Sequence, residues 1–362
     1  MIQRPPAAVG QRLDEVDTPA LVLDLDAFEA NLAALNRAVG GRVRVRGHAK
    51  THKCPQIALA QVAAGAVGVC CQKVSEAEAL VDGGVKDVLV SNEIVGASKI
   101  ARLAALAKRA RIGVCVDNPQ NLKALKESGA KLDVYIELEV GMNRCGIEPG
   151  EAAVALAREI TGNLRFAGLQ AYHGRAQHVR SMAERKASIE RAADAVRLTK
   201  KLLKDQNIDC PIVTGAGSGT FMFEVESGAW DEIQPGSYVF MDADYARNEW
   251  AAPLPRFGHA LFVLAAVMSR PRPQVAIVDA GLKASSVDSG MPGVWARPGL
   301  TYTHASDEHG WVEGAPEPAL GEKLLLVPGH CDPTVNLYDW YVCTRNGIVE
   351  DLWPITARGA VT

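Results

Sequence analysis

Between residues 42 and 240, short apolar runs alternate with longer stretches in which Ala and Leu recur among charges. The runs RVRVRGHAK, VGVCCQ, DVLVS, RIGVCVD, LDVYIELEV, LRFAGLQAYH, PIVTGAG and EIQPGSYVF read as eight strands. CPQIALAQVAAG, ASKIARLAALAKR, EAAVALAREI and SMAERKASIERAADAVRLTKKLLKDQ, lying between them, read as helices. Alternation of this kind predicts a parallel sheet. Eight such units in about 200 residues predict a closed (β/α)8 barrel. Upstream, LVLDL reads as a strand, and Asp26 as the start of a helix in which Phe28, Leu32 and Leu35 recur at helical spacing. After about residue 255 the pattern changes. LFVLAAVMS, VAIVDAGL, KLLLVPGH, YDWYVCTR and IVEDLWPI are strand-like with few helices between, and Asn346-Gly347 predicts a type I′ hairpin turn. The expected layout is an α/β barrel over residues 26–250, then an antiparallel β domain over 251–362 joined by the N-terminal strand within 1–25.

Composition narrows the class without naming a chemistry. A chain of 362 residues fits about two domains. With 48% apolar and 22% charged residues, disorder, a collagen-like rod and a short disulfide scaffold are excluded. No uncharged apolar run reaches the ~18 residues of a membrane helix. The N-terminus carries no apolar core of a signal peptide. A net charge of −3 gives no electrostatic reason to bind nucleic acid or an anionic membrane. None of the eight cysteines forms a CxxC pair, and most lie in apolar runs, so reduced thiols and a cytoplasmic location are expected.

Alternation along RVRVRGHAK puts Val43, Val45, Gly47 and Ala49 on one face and Arg44, Arg46, His48 and Lys50 on the other. In a barrel the charged face points inward, where Arg44 or Arg46 is expected to pair with Glu137 and Glu139. Lys50 ends this strand, on the rim where barrel active sites are built. Crowding by His48, His52 and Lys53 gives it a reason to lose its proton and act as a nucleophile; the alternative is an exposed basic strand. TGAGSGT (214–220) and QPGSY (234–238) follow the seventh and eighth strands, the two loops that most often hold phosphate in such barrels. Arg144, past the fifth strand, is either a fork of donors for an anionic oxygen or a surface arginine. Gln170, Tyr172, His173 and His178 gather after the sixth strand; His173 is a proton carrier or a structural histidine. In PGHCDPT, His330 and Asp332 point the same way if this is a strand end, with Cys331 pointing away. Imidazole plus carboxylate suits Mn²⁺, Mg²⁺ or a similar cation; the alternative is a loop with no metal.

Four segments, DTPALVLDLDAFEANL, HAKTHKCPQIA, GVCCQKVSEAEALVDGGVKDVLVSNE and PGHCDPTVNL, together resemble the D-threonine aldolases. These form a branch of the alanine-racemase-like, fold-type III enzymes that use pyridoxal 5′-phosphate (PLP), and the similarity runs from about residue 17 to the C-terminus. The resemblance implies a PLP barrel followed by a β domain, with Lys50 carrying the PLP Schiff base. It implies Gln72, Arg144, Ser218 (Thr in related enzymes), Gly236, Ser237 and Tyr245 as cofactor contacts, and Tyr172 against the cofactor ring. His330 and Asp332 are the implied metal ligands; related D-serine dehydratases carry His-x-Cys there. DEHG (307–310) resembles a family motif without an assigned role. The implied activity is cleavage of D-3-hydroxyamino acids to glycine and an aldehyde by a homodimer, with His173 or a metal-bound hydroxide as base. A 3-hydroxy-D-aspartate aldolase and a D-serine or 3-hydroxyaspartate dehydratase are the enzymatic alternatives. A non-catalytic PLP-binding protein is a single barrel, which the C-terminal domain argues against.

Overall fold

The computed structural model describes residues 3–252 and 254–362; residues 1 and 2, the start of the segment assigned above to the β domain, lie outside the described residues. The chain opens with strand β1 (Ala20–Asp24) and helix α1 (Leu25–Val39). Asp24, not Asp26, caps this helix: its carboxylate accepts from the Ala27 amide at 2.9 Å. Gly40, at φ 58°, ends it in the left-handed region. Phe28, Leu32, Leu35 and Val39 are buried on one face, each contributing about 1.5–3 kcal/mol of hydrophobic stabilisation.

The strands of the barrel follow: β2 (Arg44–Val45), β3 (Gly47–His48), β4 (Val69–Cys71), β5 (Asp87–Glu93), β6 (Arg111–Val116), β7 (Leu132–Glu137), β8 (Leu164–Ala171), β9 (Ile212–Gly215) and β10 (Glu232–Ile233). All pair in parallel, in the order β2-β10-β9-β8-β7-β6-β5-β4-β3. β2 and β3 are two halves of the first predicted strand, interrupted at Arg46. The first half pairs with the last strand and the second half with β4, so this one broken stave closes the sheet on itself. The eight staves are those the alternation predicts.

Charge pairing inside the barrel departs from expectation. Arg46, 1% exposed, donates from Nε to Glu232 Oε1 at 2.8 Å and from Nη1 to Asp87 Oδ1 at 2.6 Å. Arg44 Nη2 lies 3.2 Å from Glu232 Oε2. Neither arginine meets Glu137 or Glu139. Arg44 and Arg46 begin their stave whereas Glu137 ends its own, and parallel strands place a beginning and an end at opposite rims.

The remaining strands are β11 (Leu261–Arg272), β12 (Val275–Val278), β13 (Gly293–Val294), β14 (Leu300–Ala305), β15 (Gly310–Gly314), β16 (Lys323–Val327), β17 (Trp340–Arg345) and β18 (Ile348–Pro354). They form a second sheet with β1 at its centre, antiparallel to β11 but parallel to β17. The sheet is thus mixed rather than wholly antiparallel. β13, β14 and β15 have no counterpart in the predicted strands. Asn346 and Gly347, at φ 51° and 74°, make the tight turn between β17 and β18. The DEHG segment belongs to the turn joining β14 to β15, whose carbonyls at Ser306 and Asp307 accept from the Leu282 and Lys283 amides. All eight cysteines are free thiols. Among the described residues, no helix is long and apolar enough to cross a membrane.

Candidate active site

Lys50 lies in the turn just past β3, at the C-terminal rim of the barrel. Its Nζ donates to Asp332 Oδ2, which belongs to the segment joining β16 to β17 of the second sheet. This contact reverses the electrostatic expectation for Lys50. Burial favours the neutral amine, but the Asp332 carboxylate outweighs it and holds the lysine above its ordinary range. The supposed crowd of cations is absent. Burial pushes His48 well below its usual value and His52 to about 4, so both are neutral. Lys53 is paired with Glu76 at 2.5 Å. Burial would raise Asp332, yet Lys50 and His330 bring it down to about 2.

His330 and Asp332 are not on a strand end. His330 is the N-cap of the short helix Cys331–Val335, and Asp332 lies in its first turn. Asp242 fixes this helix to the barrel side: one carboxylate oxygen accepts from the Tyr245 amide at 2.9 Å and the other from the Cys331 amide at 3.2 Å. Cys331 is fully buried, as the expectation that it points away requires. His330 Nδ1 is 2.8 Å from Asp288 Oδ2. Asp332 Oδ1 is buried without a hydrogen-bond partner.

Around Lys50 the rim supplies most of the other expected residues. Gln72, after β4, reaches His48 Nε2 at 3.0 Å and Ser91 Oγ at 3.1 Å. Arg144 stands 5.8 Å over the Tyr172 ring and 3.8 Å from Glu137 Oε1. Its loop is fixed by Glu139, which accepts from the Gly141 and Arg144 amides, and by Asp117, which accepts from the Gly146 amide at 3.0 Å. Glu137 is pushed up to about 8 by burial and by Glu93 beside it. Tyr172, Lys50, Asp332 and Tyr245 share one electrostatic neighbourhood.

The two Gly/Ser loops meet on one side of this group. Ser218 is buried, and its Oγ accepts from the Tyr238 amide at 2.9 Å. Gly236 lies so close to the Lys50 turn that a Cβ there would stand 2.5 Å from Thr51 Oγ1, a buried hydroxyl without a partner. Ser237 follows it, also buried. Gln177 backs the first loop: its Oε1 accepts from the Gly219 amide at 3.0 Å and its Nε2 donates to Thr220 Oγ1 at 2.7 Å. A Cβ on Gly217 or Gly219 would collide with Gln177 at 2.5 Å. Free backbone approach, a partnerless hydroxyl and two glycine contacts fit a phosphate group.

His173 and His178 separate. His173 packs its Nε2 against Gly141, its Nδ1 is buried without a partner, and the charges around it are Glu139, Arg191 and Arg175. His178 instead lies with its ring 5.0 Å from Tyr245, and its Nδ1 is 2.6 Å from Asp244 Oδ2. Arg180 and Arg247 also donate to Asp244 Oδ1. Burial would raise Asp244, but these three partners hold it down to about 2. Gln170 turns to Gln234 and plays no part in this group.

Four residues that complete the arrangement, Gln177, Asp242, Asp244 and Asp288, carry no readable signal in the sequence. MDADY does place Asp242 and Asp244 one strand-period apart just before Tyr245, the spacing of a cap and its neighbour. Among the described residues no group of three or more His, Cys, Asp and Glu side chains is gathered to hold a metal. A surface hollow of about 880 Å³ lies elsewhere, between helices Ala97–Leu106 and Pro119–Glu127, lined largely by alanines.

Residues 23–244 match the family described as alanine racemase, N-terminal domain, and residues 260–344 match the putative serine dehydratase domain. A D-threonine aldolase of Arthrobacter sp is 50% identical, over 98% of this chain and 96% of its own length. A 3-hydroxy-D-aspartate aldolase of Paracoccus denitrificans (strain Pd 1222) is 45% identical, over 98% of this chain and 95% of its own. The crystal structure of D-threonine aldolase from Filomicrobium marinum superposes with a TM-score of 0.97 at 52% identity, covering 99% of this chain and 100% of that one.

Proposed function

Because the chain belongs to the D-threonine aldolase branch of the alanine-racemase-like PLP enzymes, we propose that it cleaves D-3-hydroxyamino acids to glycine and an aldehyde, with a divalent cation as second cofactor. The observation that carries this reading is the meeting of Lys50, from the barrel rim, with Asp332, from the β domain. We divide the chain accordingly, with the barrel over 26–250 and the β domain over 251–362 together with the N-terminal strand.

PLP, when bound, supplies an electron sink for a bond broken at Cα. Lys50 is the amine that would hold it. The loops at Ser218 and at Gly236–Ser237 would take its phosphate, Tyr172 and Tyr245 would flank it, and Arg144 would face its phenolic oxygen. A divalent cation, when bound, lowers the pKa of a hydroxyl it touches. His330 and Asp332 would be its protein donors. The fit rests on Asp332 Oδ1, a buried carboxylate oxygen without a partner, and on a hard donor set that suits Mn²⁺ or Mg²⁺.

We take His178, rather than His173, as the base, because Asp244 holds its Nδ1 and its ring lies against Tyr245. With Nδ1–H donating a hydrogen bond to Asp244, Nε2 would be left to take the proton of the substrate β-hydroxyl. Arg180 and Arg247, which share Asp244 with His178, are committed to that carboxylate. With these two guanidinium groups taken, we favour threonine-like side chains over 3-hydroxyaspartate.

Incubation with all four threonine isomers, followed by assay for glycine and acetaldehyde, tests the reading. D-threonine and D-allo-threonine should both be cleaved, and both L isomers should be inert. Comparable cleavage of L-threonine would overturn it. A higher kcat/KM for 3-hydroxy-D-aspartate would overturn the assignment of the side chain alone.

A further inference from the structure

An imidazole that donates a lone pair to a cation must carry its proton on the other nitrogen, and that proton needs an acceptor. His330 meets this requirement through a residue far from it in sequence. Asp288 lies in the connection between β12 and β13, and its Oδ2 is 2.8 Å from His330 Nδ1. Ser286 Oγ donates to the other Asp288 oxygen at 2.7 Å, and Ser289 Oγ donates to Oδ2 at 3.1 Å. The carboxylate is therefore fixed from both sides.

The loop that carries Asp288 is also joined to the backbone of His330. The Ser286 amide donates to Thr334 Oγ1 at 3.1 Å, and that hydroxyl donates to the His330 carbonyl at 2.8 Å. One residue before His330, Gly329 touches the same loop backbone to backbone. A Cβ at Gly329 would lie 2.0 Å from the Gly290 carbonyl oxygen, a clash no rotamer can relieve. On the other side, Arg247 donates to the Ser289 carbonyl at 2.7 Å. Glycine in PGHCD thus has a physical reason: only its bare backbone lets Asp288 come within reach of His330.

We propose that Asp288 is a positioning residue, which accepts a hydrogen bond from the Nδ1–H of His330 and thereby aims its Nε2 lone pair at a divalent cation shared with Asp332. The inference rests on the metal reading given above. Asp288 itself stays off the cation and off the substrate.

The test is a Mn²⁺ titration of the PLP-loaded enzyme, followed by electron paramagnetic resonance, for the natural chain and for Asp288→Ala, Asp288→Asn and His330→Ala. Asp288→Ala should weaken Mn²⁺ by about 10–100-fold. Asp288→Asn should recover part of that loss, because its amide oxygen still accepts from Nδ1–H. PLP absorbance and the thermal midpoint of the metal-free protein should stay as in the natural chain, since Asp288 is half exposed. Unchanged Mn²⁺ affinity in Asp288→Ala, with His330→Ala abolishing binding, overturns the role of Asp288 and leaves the metal reading standing. Loss of affinity accompanied by loss of PLP or of thermal stability also overturns it, in favour of a purely structural role. A natural chain that takes up no Mn²⁺, or a His330→Ala variant that binds as tightly, overturns both.

Discussion

The two rims of the barrel are built from the same strands and treat charge in opposite ways. At the N-terminal rim, Arg46 is closed against Glu232 and Asp87, Arg44 against Glu232, and Arg111 and Arg165 against Asp133. At the C-terminal rim, Thr51 Oγ1, His173 Nδ1, Asp332 Oδ1 and both Glu93 oxygens are buried with no hydrogen-bond partner. The N-terminal rim pairs its buried arginines with carboxylates, though Arg44 Nε and Glu232 Oε2 are left without a hydrogen bond, and the C-terminal rim leaves more of its polar capacity uncommitted. The difference is one of use: closure below, chemistry above.

Substitutions at the two rims should therefore separate stability from turnover. The largest effect is expected at Lys50. Lys50→Ala should lose more activity than the roughly 10²–10⁴-fold of a missing acid–base group, with the chain still folded; retained turnover with PLP present would remove Lys50 from the mechanism. Next is His178→Gln, expected to lower kcat by roughly 10²–10⁴-fold while His173→Asn changes it by only a small factor. Equal losses in the two variants, measured with D-threonine, would erase the distinction drawn between the histidines. Glu232→Ala, at the opposite rim, leaves Arg46 buried with Asp87 as its remaining carboxylate partner. It should lower unfolding stability by about 3–5 kcal/mol in denaturant titrations, yet leave kcat of the folded enzyme near that of the natural chain. A collapse of kcat at temperatures where the variant is folded would break the comparison.

The smallest effect concerns Glu224, on the helix that follows the first Gly/Ser loop. Burial pushes its carboxyl up to about 8, while Thr220 donates to one oxygen. The folded chain then holds a proton that the unfolded chain releases near 4.5. Its contribution to stability is full below about pH 4.5 and is lost as the pH rises through about 8. Glu224→Gln should flatten that decline, which is on the order of a few kcal/mol across the window. Parallel pH profiles of unfolding for variant and natural chain would show that Glu224 is ionised throughout.

Features set by local pattern were legible in the sequence. Alternation located the eight staves, Asn346-Gly347 located a hairpin, and the HAK lysine stands at the rim. What depended on non-local geometry was not legible. Arg46 and Glu232 are far apart in sequence and meet only because the sheet closes. His330 and Asp332 looked like alternating strand residues, but Asp242, coming from the barrel side, caps the Cys331 amide and turns the segment into a helix. His173 and His178 were indistinguishable by type; the choice depends on Asp244, some 66 residues from His178. The parallel pairing of β1 with β17 was equally hidden, because a strand does not record which partner lies on its other edge.

That position of β1 has a consequence for how the chain is made. Leu21 pairs with Val263 on one side and with Tyr341 on the other, about 240 and 320 residues further along. As the chain leaves the ribosome, the apolar segment ALVLD waits with both edges unpaired while the whole barrel is synthesised. Neither partner exists until the barrel is complete, and the second arrives only with the last hairpin. An open, apolar strand of this kind is a template for pairing with other chains. Shortened chains that stop before β17 should therefore aggregate during expression even though every stave of the barrel is present.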